Sequence, residues 1–180
     1  INLGLFYGMG KAKLQAELGL STKQEAEKLF NQYHERVPFV RDLMNETSRW
    51  ASREGEIRTL LGRGCRFNKW EPAQFGMHTP MTWEDAMKKY GENRIRRAFT
   101  YKALNKLIQG SAADMTKKSM LDLYKEGIIA HIQIHDELDI SVESDKKAKR
   151  IIEIMEAAVD LEVPNKVDYE SGKTWGNIYD

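Results

Sequence analysis

A chain of 180 residues with 41% hydrophobic and 31% charged side chains is long enough to bury a core and has the composition of an ordinary globular protein. Its single cysteine, Cys65, excludes an internal disulfide and points to a reducing compartment, and no apolar run approaches the ~20 residues of a membrane span. The net charge of +1 hides a segregation: residues 1–48 hold six basic and six acidic side chains, 49–118 fifteen against seven, and 119–180 seven against fourteen, which suits a protein that grips a polyanion with one part and holds cations with another.

The first stretch, "INLGLFYGMGKAK", lacks the basic region and long apolar run of a secretory signal. It starts with Ile1 and not with methionine, which reads as an excerpt from a longer polypeptide or a processed chain. Gly4 and Gly8 sit one helical turn apart and would leave bare backbone on one helix side, open to a flat ring beside Tyr7 or to another helix. Residues 10–20 are compatible with helix. A second helix is announced by Ser21 or Thr22 as cap, with Gln24 and Glu25 placed for a capping box, and Pro38 follows it. A third runs through "FVRDLMNETSRWASREG" and closes at Gly55.

The segment "EIRTLLGRGCRF" reads as a β-hairpin around Gly62 and Gly64, a ribbon able to project Arg58, Arg63 and Arg66 toward phosphates. Residues 68–93 hold two of the four prolines and two of the four tryptophans, and read as a loop insertion with one short helix capped by Thr82. A long helix is expected from about Arg94 to Glu126, stopping at Gly127. On it Arg94, Arg97, Tyr101, Asn105 and Gln109 would share one face, and their amides and guanidiniums suit base edges, sugars and phosphates. The next segment, "QGSAAD", is small enough for a close backbone approach.

The hairpin "IIAHIQIHDELDISV" follows. Counting by twos puts Ile132, Ile134, Asp136, Leu138 and Ile140 on one face, so Asp136 would be a carboxylate on a buried face. Burying it costs several kcal/mol unless a partner charge or metal compensates. With Glu137 beside it, the turn could aim two carboxylates at a hard cation such as Mg²⁺, which also needs a carboxylate from elsewhere. The last elements are a helix over "DKKAKRIIEIMEAAVDLE" and a short strand within "NKVDYESGKTWGNIYD". The order of elements indicates an α+β chain.

In this order the pieces resemble the C-terminal polymerase region of family A DNA polymerases, the class of bacterial DNA polymerase I and the T7-like phage enzymes. "INLGLFYGMG" resembles the fingers-helix motif, "GRGCRF" the arginine-rich hairpin, "LNKLIQGSAAD" the Asn-x-x-x-Gln-Gly-x-Ala-Ala-Asp helix, and "IQIHDELDI" the His-Asp-Glu motif. The resemblance implies part of a right-hand polymerase fold. Helical fingers would occupy residues 1–57, and a small antiparallel palm sheet flanked by long helices would occupy 58–180, with an insertion at 68–93.

It implies roles as well. Leu3, where the family usually has phenylalanine or tyrosine, and Tyr7 would meet the incoming dNTP. Arg63, Asn105 and Gln109 would touch the primer–template duplex. Tyr101 stands where bacterial relatives carry arginine, and Arg97 one turn earlier would substitute for it. His135 would lie by the primer end, Asp136 would ligate Mg²⁺ and Glu137 would support it as the second catalytic carboxylate. The two-metal site would be completed outside this chain, because the first palm aspartate and the triphosphate-binding lysine would fall before Ile1. The expectation is a template-directed DNA polymerase in the cytoplasm, the host's if phage-encoded. It would need the rest of the polymerase as partner, and the chain by itself would be inactive. The alternatives are a nucleic-acid-binding half of a split polymerase and a metal-dependent nuclease using Asp136, Glu137 and Asp139.

Overall fold

The computed structural model describes residues 2–74 and 76–177. The N-terminal stretch forms α1 (Asn2–Phe6), which stops because Gly8 turns left-handed at φ 87°. Next come α2 (Lys11–Leu18) and α3 (Lys23–Arg36). The expected capping box is present: the Glu25 amide donates to Thr22 Oγ1 at 3.2 Å, and the Thr22 amide donates back to Glu25 Oε2 at 3.3 Å. Val37 alone separates α3 from α4 (Pro38–Glu54). Proline at the first position disfavours helix for the residue before it, so Val37 leaves the helical region at φ −128°. Gly55 caps α4 at φ 74°, as its sequence position predicts.

Strands β1 (Glu56–Arg58) and β2 (Gly64–Arg66) form the expected hairpin, in which Glu56 pairs with Arg66 and Arg58 with Gly64. Ala51, Ile57, Phe67 and Ala103 form a buried cluster that Cys65 and Leu107 extend. The two alanines, neither of them exposed at all, let their backbones approach closely there.

The segment at 68–93 contains the helix capped by Thr82, α5 (Trp83–Tyr90), where the Asp85 amide donates to Thr82 Oγ1 at 3.2 Å. It also contains β3 (Trp70–Pro72), which pairs antiparallel with β4 (Ile95–Arg97). The expected long helix is therefore shortened. Residues 95–97 are drawn into a ribbon by a strand some 25 positions earlier, held by an Arg96–Glu71 ion pair at 2.9 Å. Phe99 then takes φ 64°, a 3₁₀ turn spans Thr100–Lys102, and α6 (Ala103–Lys125) begins. A distant pairing has overridden a local helical pattern.

The chain divides into two units, Ile1–Gly110 and Ser111–Asp180. In the second, α6 ends as expected at Gly127, φ 74°. Strands β5 (Ile132–Ile134) and β6 (Glu137–Asp139) and helix α7 (Asp145–Ala157) follow. Leu123, Ile128, Ile151 and Ile154 form its core, with Leu138, Ile140, Val142 and Met155 packed against it. Arg150 clips α7 to the end of α6 through Glu126 at 2.6 Å.

The expected last strand is absent among the described residues. A side chain takes the place of a strand partner there: Glu156 accepts from the Val167 amide at 3.2 Å and from Lys166 Nζ at 3.1 Å. Both bonds hold the Glu156 carboxyl below its usual range. Among the described residues no helix is long and apolar enough to cross a membrane.

Two outcomes follow from this packing. Truncating Leu123, 1% exposed, to alanine is expected to cost ~2–5 kcal/mol in denaturant unfolding. His34 is buried at the end of α3 with Nδ1 lacking a hydrogen-bond partner among the described residues. Burial, and then the Arg41 charge, hold its imidazole below the ordinary value of 6.5. The unfolded chain therefore binds the proton more readily. His34 favours folding above pH 6.5, and that contribution is lost as pH falls through its folded value. Melting temperatures from pH 7.5 down to about 5.5 should fall less in His34→Leu than in the unaltered protein.

Candidate functional site

The His-Asp-Glu segment forms the tip of the β5–β6 hairpin. Ile134 pairs with Glu137, which leaves His135 and Asp136 as a two-residue loop. Such loops need a positive φ at their first position. His135 supplies it at φ 54° although it is not glycine, a conformation that costs a side-chain-bearing residue free energy. Gln133 offsets the cost by donating from Nε2 to the His135 carbonyl at 2.6 Å. The sequence reading missed Gln133. Its one signal was that a glycine-free two-residue turn needs something to hold it.

This turn corrects the expected burial of Asp136, which is exposed. Across a two-residue loop residue i faces i+3, so even positions before the turn share a face with odd positions after it. Ile132 and Ile134 thus lie on the face of Glu137 and Asp139, while Leu138 lies opposite Gln133. Counting by twos through the turn joined residues that the fold separates. Asp136 needs no compensating burial partner and is presented to solvent.

The hard oxygen donors Asp136 and Glu137, exposed and adjacent, have the chemistry that Mg²⁺ prefers. Among the described residues no group of three or more candidate ligands gathers.

In the first unit Arg63 and the glutamine helix meet. Arg63 Nη2 donates to the Gly110 carbonyl at 2.8 Å, beside Gln109. Gly110 permits this closeness, since a Cβ there would lie 2.8 Å from Thr59 Cγ2. Asn105 and Gln109 are one turn apart on α6 and so share a stripe, the first half-buried and the second exposed.

Arg94, Arg97 and Tyr101 do not extend that stripe, because they precede α6. The Arg97 guanidinium instead donates to the Ser52 carbonyl at 3.2 Å and the Phe67 carbonyl at 3.0 Å, and lies 4.6 Å from the Trp70 ring centroid. It is an internal clasp.

At the N-terminus Tyr7 follows α1 and is half-buried, edge-on to Phe6 at 5.6 Å. The bare backbone expected at Gly4 is covered, since a Cβ there would lie 2.2 Å from Met9 Cε. Leu3 lies in α1, and its side chain is outside the described residues.

Against known proteins, residues 1–177 match the family model of DNA polymerase family A. The chain is 32% identical to a DNA-directed DNA polymerase of Pseudomonas phage M6, over 98% of this chain and 28% of that protein. It is 33% identical to DNA polymerase I of Bacillus caldotenax, over 97% of this chain and 19% of that protein. Its fold is similar to the POL domain of Pol1 from M. smegmatis, solved in complex with DNA primer-template and dNTP. That likeness has a TM-score of 0.74 and 27% identity, over 99% of this chain and 30% of the other. It bears out the expected mixture of helices and small antiparallel sheets. The chain thus spans less than a third of the length of these relatives.

The Gly110 contact has a measurable consequence. In Gly110→Ala the helix gains ~1 kcal/mol of propensity, but the new methyl meets Thr59, and overpacking costs ~1–3 kcal/mol. Chemical denaturation is expected to show a net loss of about 1 kcal/mol, with the hairpin resonances around Arg63 the most perturbed.

Proposed function

Because this chain belongs to DNA polymerase family A, we propose that it is the part of a template-directed DNA polymerase that carries one catalytic carboxylate pair and the duplex-reading helix. The reaction is nucleotidyl transfer: the primer 3′-hydroxyl attacks the α-phosphate of a dNTP, the new phosphodiester forms, and pyrophosphate leaves. The observation that carries this reading is the hairpin tip. His135, Asp136 and Glu137 stand exposed at a two-residue turn, held by Gln133, in a chain that matches the family over 1–177.

In this reading Asp136 holds Mg²⁺ with Glu137 in support, and the ion, when bound, neutralises charge on the phosphates. His135 meets the primer end. Asn105 and Gln109 offer amides to the minor groove, whose acceptors are alike for both orientations of an A·T pair. Arg63, on the adjoining hairpin, meets the phosphate backbone. Tyr7 and Leu3 lie toward the incoming nucleotide. Arg97 is left out of the DNA contacts, since its guanidinium is bonded within the fold. Residues 1–57 belong to the fingers and 58–180 to the palm.

Phosphoryl transfer depends on positioning and charge stabilisation. With too few carboxylates gathered for a metal centre among the described residues, the 180-residue chain alone is expected to extend no primer. Its partners are primer–template DNA, dNTP and the remainder of the polymerase.

Primer extension tests this. In the full-length protein Asp136→Asn is expected to lower the single-turnover rate on the order of 10²–10³-fold, the scale of losing one charge-stabilising group, while duplex affinity is retained. An unaltered rate in Asp136→Asn would remove the metal assignment, and extension by the isolated chain would refute the expectation that it is incomplete.

A further inference from the structure

We propose that Met9 and Met44 are positioning residues for the incoming nucleotide: their thioether methyls seat against Gly4 and Gly8 and set the direction in which Tyr7 leaves α1. The proposal rests on the polymerase reading above, which turns Tyr7 toward the nucleotide, and adds the groups that hold it there. Helix α1 is five residues long, well short of the ~12–15 that a helix needs to persist by itself in water. Its orientation is therefore decided by what packs on it.

The end of α1 is locked first through its backbone. The Gly8 amide donates to the Leu5 carbonyl at 3.1 Å and the Met9 amide to the Gly4 carbonyl at 2.8 Å, with Gly8 at φ 87°. These are the paired bonds of a Schellman motif, with Tyr7 as the last residue before the left-handed turn. The motif folds Met9 back over Gly4, where a Cβ would collide with the Met9 Cε methyl. A second methyl comes from another helix. Met44 follows the buried Val40 by one turn on α4, and a Cβ at Gly8 would lie 2.9 Å from its Cε.

Both residue types suit this clasp. Glycine at positions 4 and 8 lets each methyl reach the backbone itself, and methionine is unbranched and adaptable enough to fill such a gap. Tyr7, half-buried and edge-on to Phe6 at 5.6 Å, is thereby held between two clamped glycines. A small residue in place of either methionine would keep the backbone bonds yet free the turn to tilt, and a ring that must meet a flat base would lose its alignment. The amides of α6 and the carboxylates of the β5–β6 turn lie on other elements, so the loss should fall on nucleotide affinity alone.

The test uses the full-length protein in single-turnover primer extension across a range of dNTP concentrations. Met9→Ala and Met44→Ala are each expected to weaken apparent dNTP affinity roughly tenfold, less than the ~10²-fold that a misplacement of about 1 Å can bring. The maximal rate and the primer–template affinity should be retained. Met44→Leu, which keeps the volume but branches short of Gly8, should give a smaller loss in the same direction. In a Tyr7→Ala background Met44→Ala should add nothing, because both changes act through one ring.

Unchanged dNTP affinity in Met44→Ala, beside a loss in Tyr7→Ala, would overturn the clasp and leave the role of Tyr7 standing. Equal losses from Met44→Ala with and without the Tyr7 ring would make Met44 a general packing residue and overturn it as well. Unchanged dNTP affinity in Tyr7→Ala would refute the nucleotide assignment of Tyr7 itself, and the clasp with it. Where Met44→Ala does not fold, Met44→Leu decides by the same comparisons.

Discussion

The Arg97 guanidinium is the pin on which the first unit turns. It bonds the end of α4 through Ser52, the exit of the first hairpin through Phe67, and stacks on Trp70. Gly55 is forced by the same contact as well as by its left-handed cap, because a Cβ there would lie 2.6 Å from Arg97 Cζ. Two hydrogen bonds of one planar cation to carbonyls and its contact with a ring fix where the inserted segment leaves and rejoins. They also fix where the chain emerges at Phe99, and hence where α6 begins with Asn105 and Gln109. An arginine that looked available to a phosphate is committed to architecture.

A second constraint governs the other unit. A two-residue turn without glycine concentrates strain at His135 and presents Asp136 at its tip. Strain of this kind persists only where the surroundings hold it, and here the Gln133 bond and the packing of Leu138 and Ile140 on the α6–α7 core do so. A carboxylate that must meet a cation is better placed at a rigid, solvated tip than in a buried strand. Solvation removes the desolvation cost, and rigidity limits the orientations it must lose on binding.

Much of the fold was legible in the chain's punctuation. Thr22 with Glu25, Pro38, Gly55, Thr82 and Gly127 act through local hydrogen bonds and backbone freedom, and each marks a boundary the structure keeps. The ordered motifs were legible for the same reason, since a motif is a local string. What failed depended on distant partners. The ribbon of 70–72 with 95–97 cut the expected helix short, and the Glu156 carboxylate replaced a strand partner for the tail. Asp136 changed faces because a turn reverses the parity of a strand, which counting by twos does not reveal without the loop length.

By itself, then, the sequence determined the family, the α+β class and most helix ends. All of these are read from neighbouring residues whose spacing acts within one turn or one hairpin. Only the tertiary structure decided that Arg97 is committed to the fold, which face each strand residue takes and where α6 starts. Those outcomes rest on contacts between residues tens of positions apart, such as Arg97 with Ser52 and Arg63 with Gly110. Their energies are comparable to the local preferences they override.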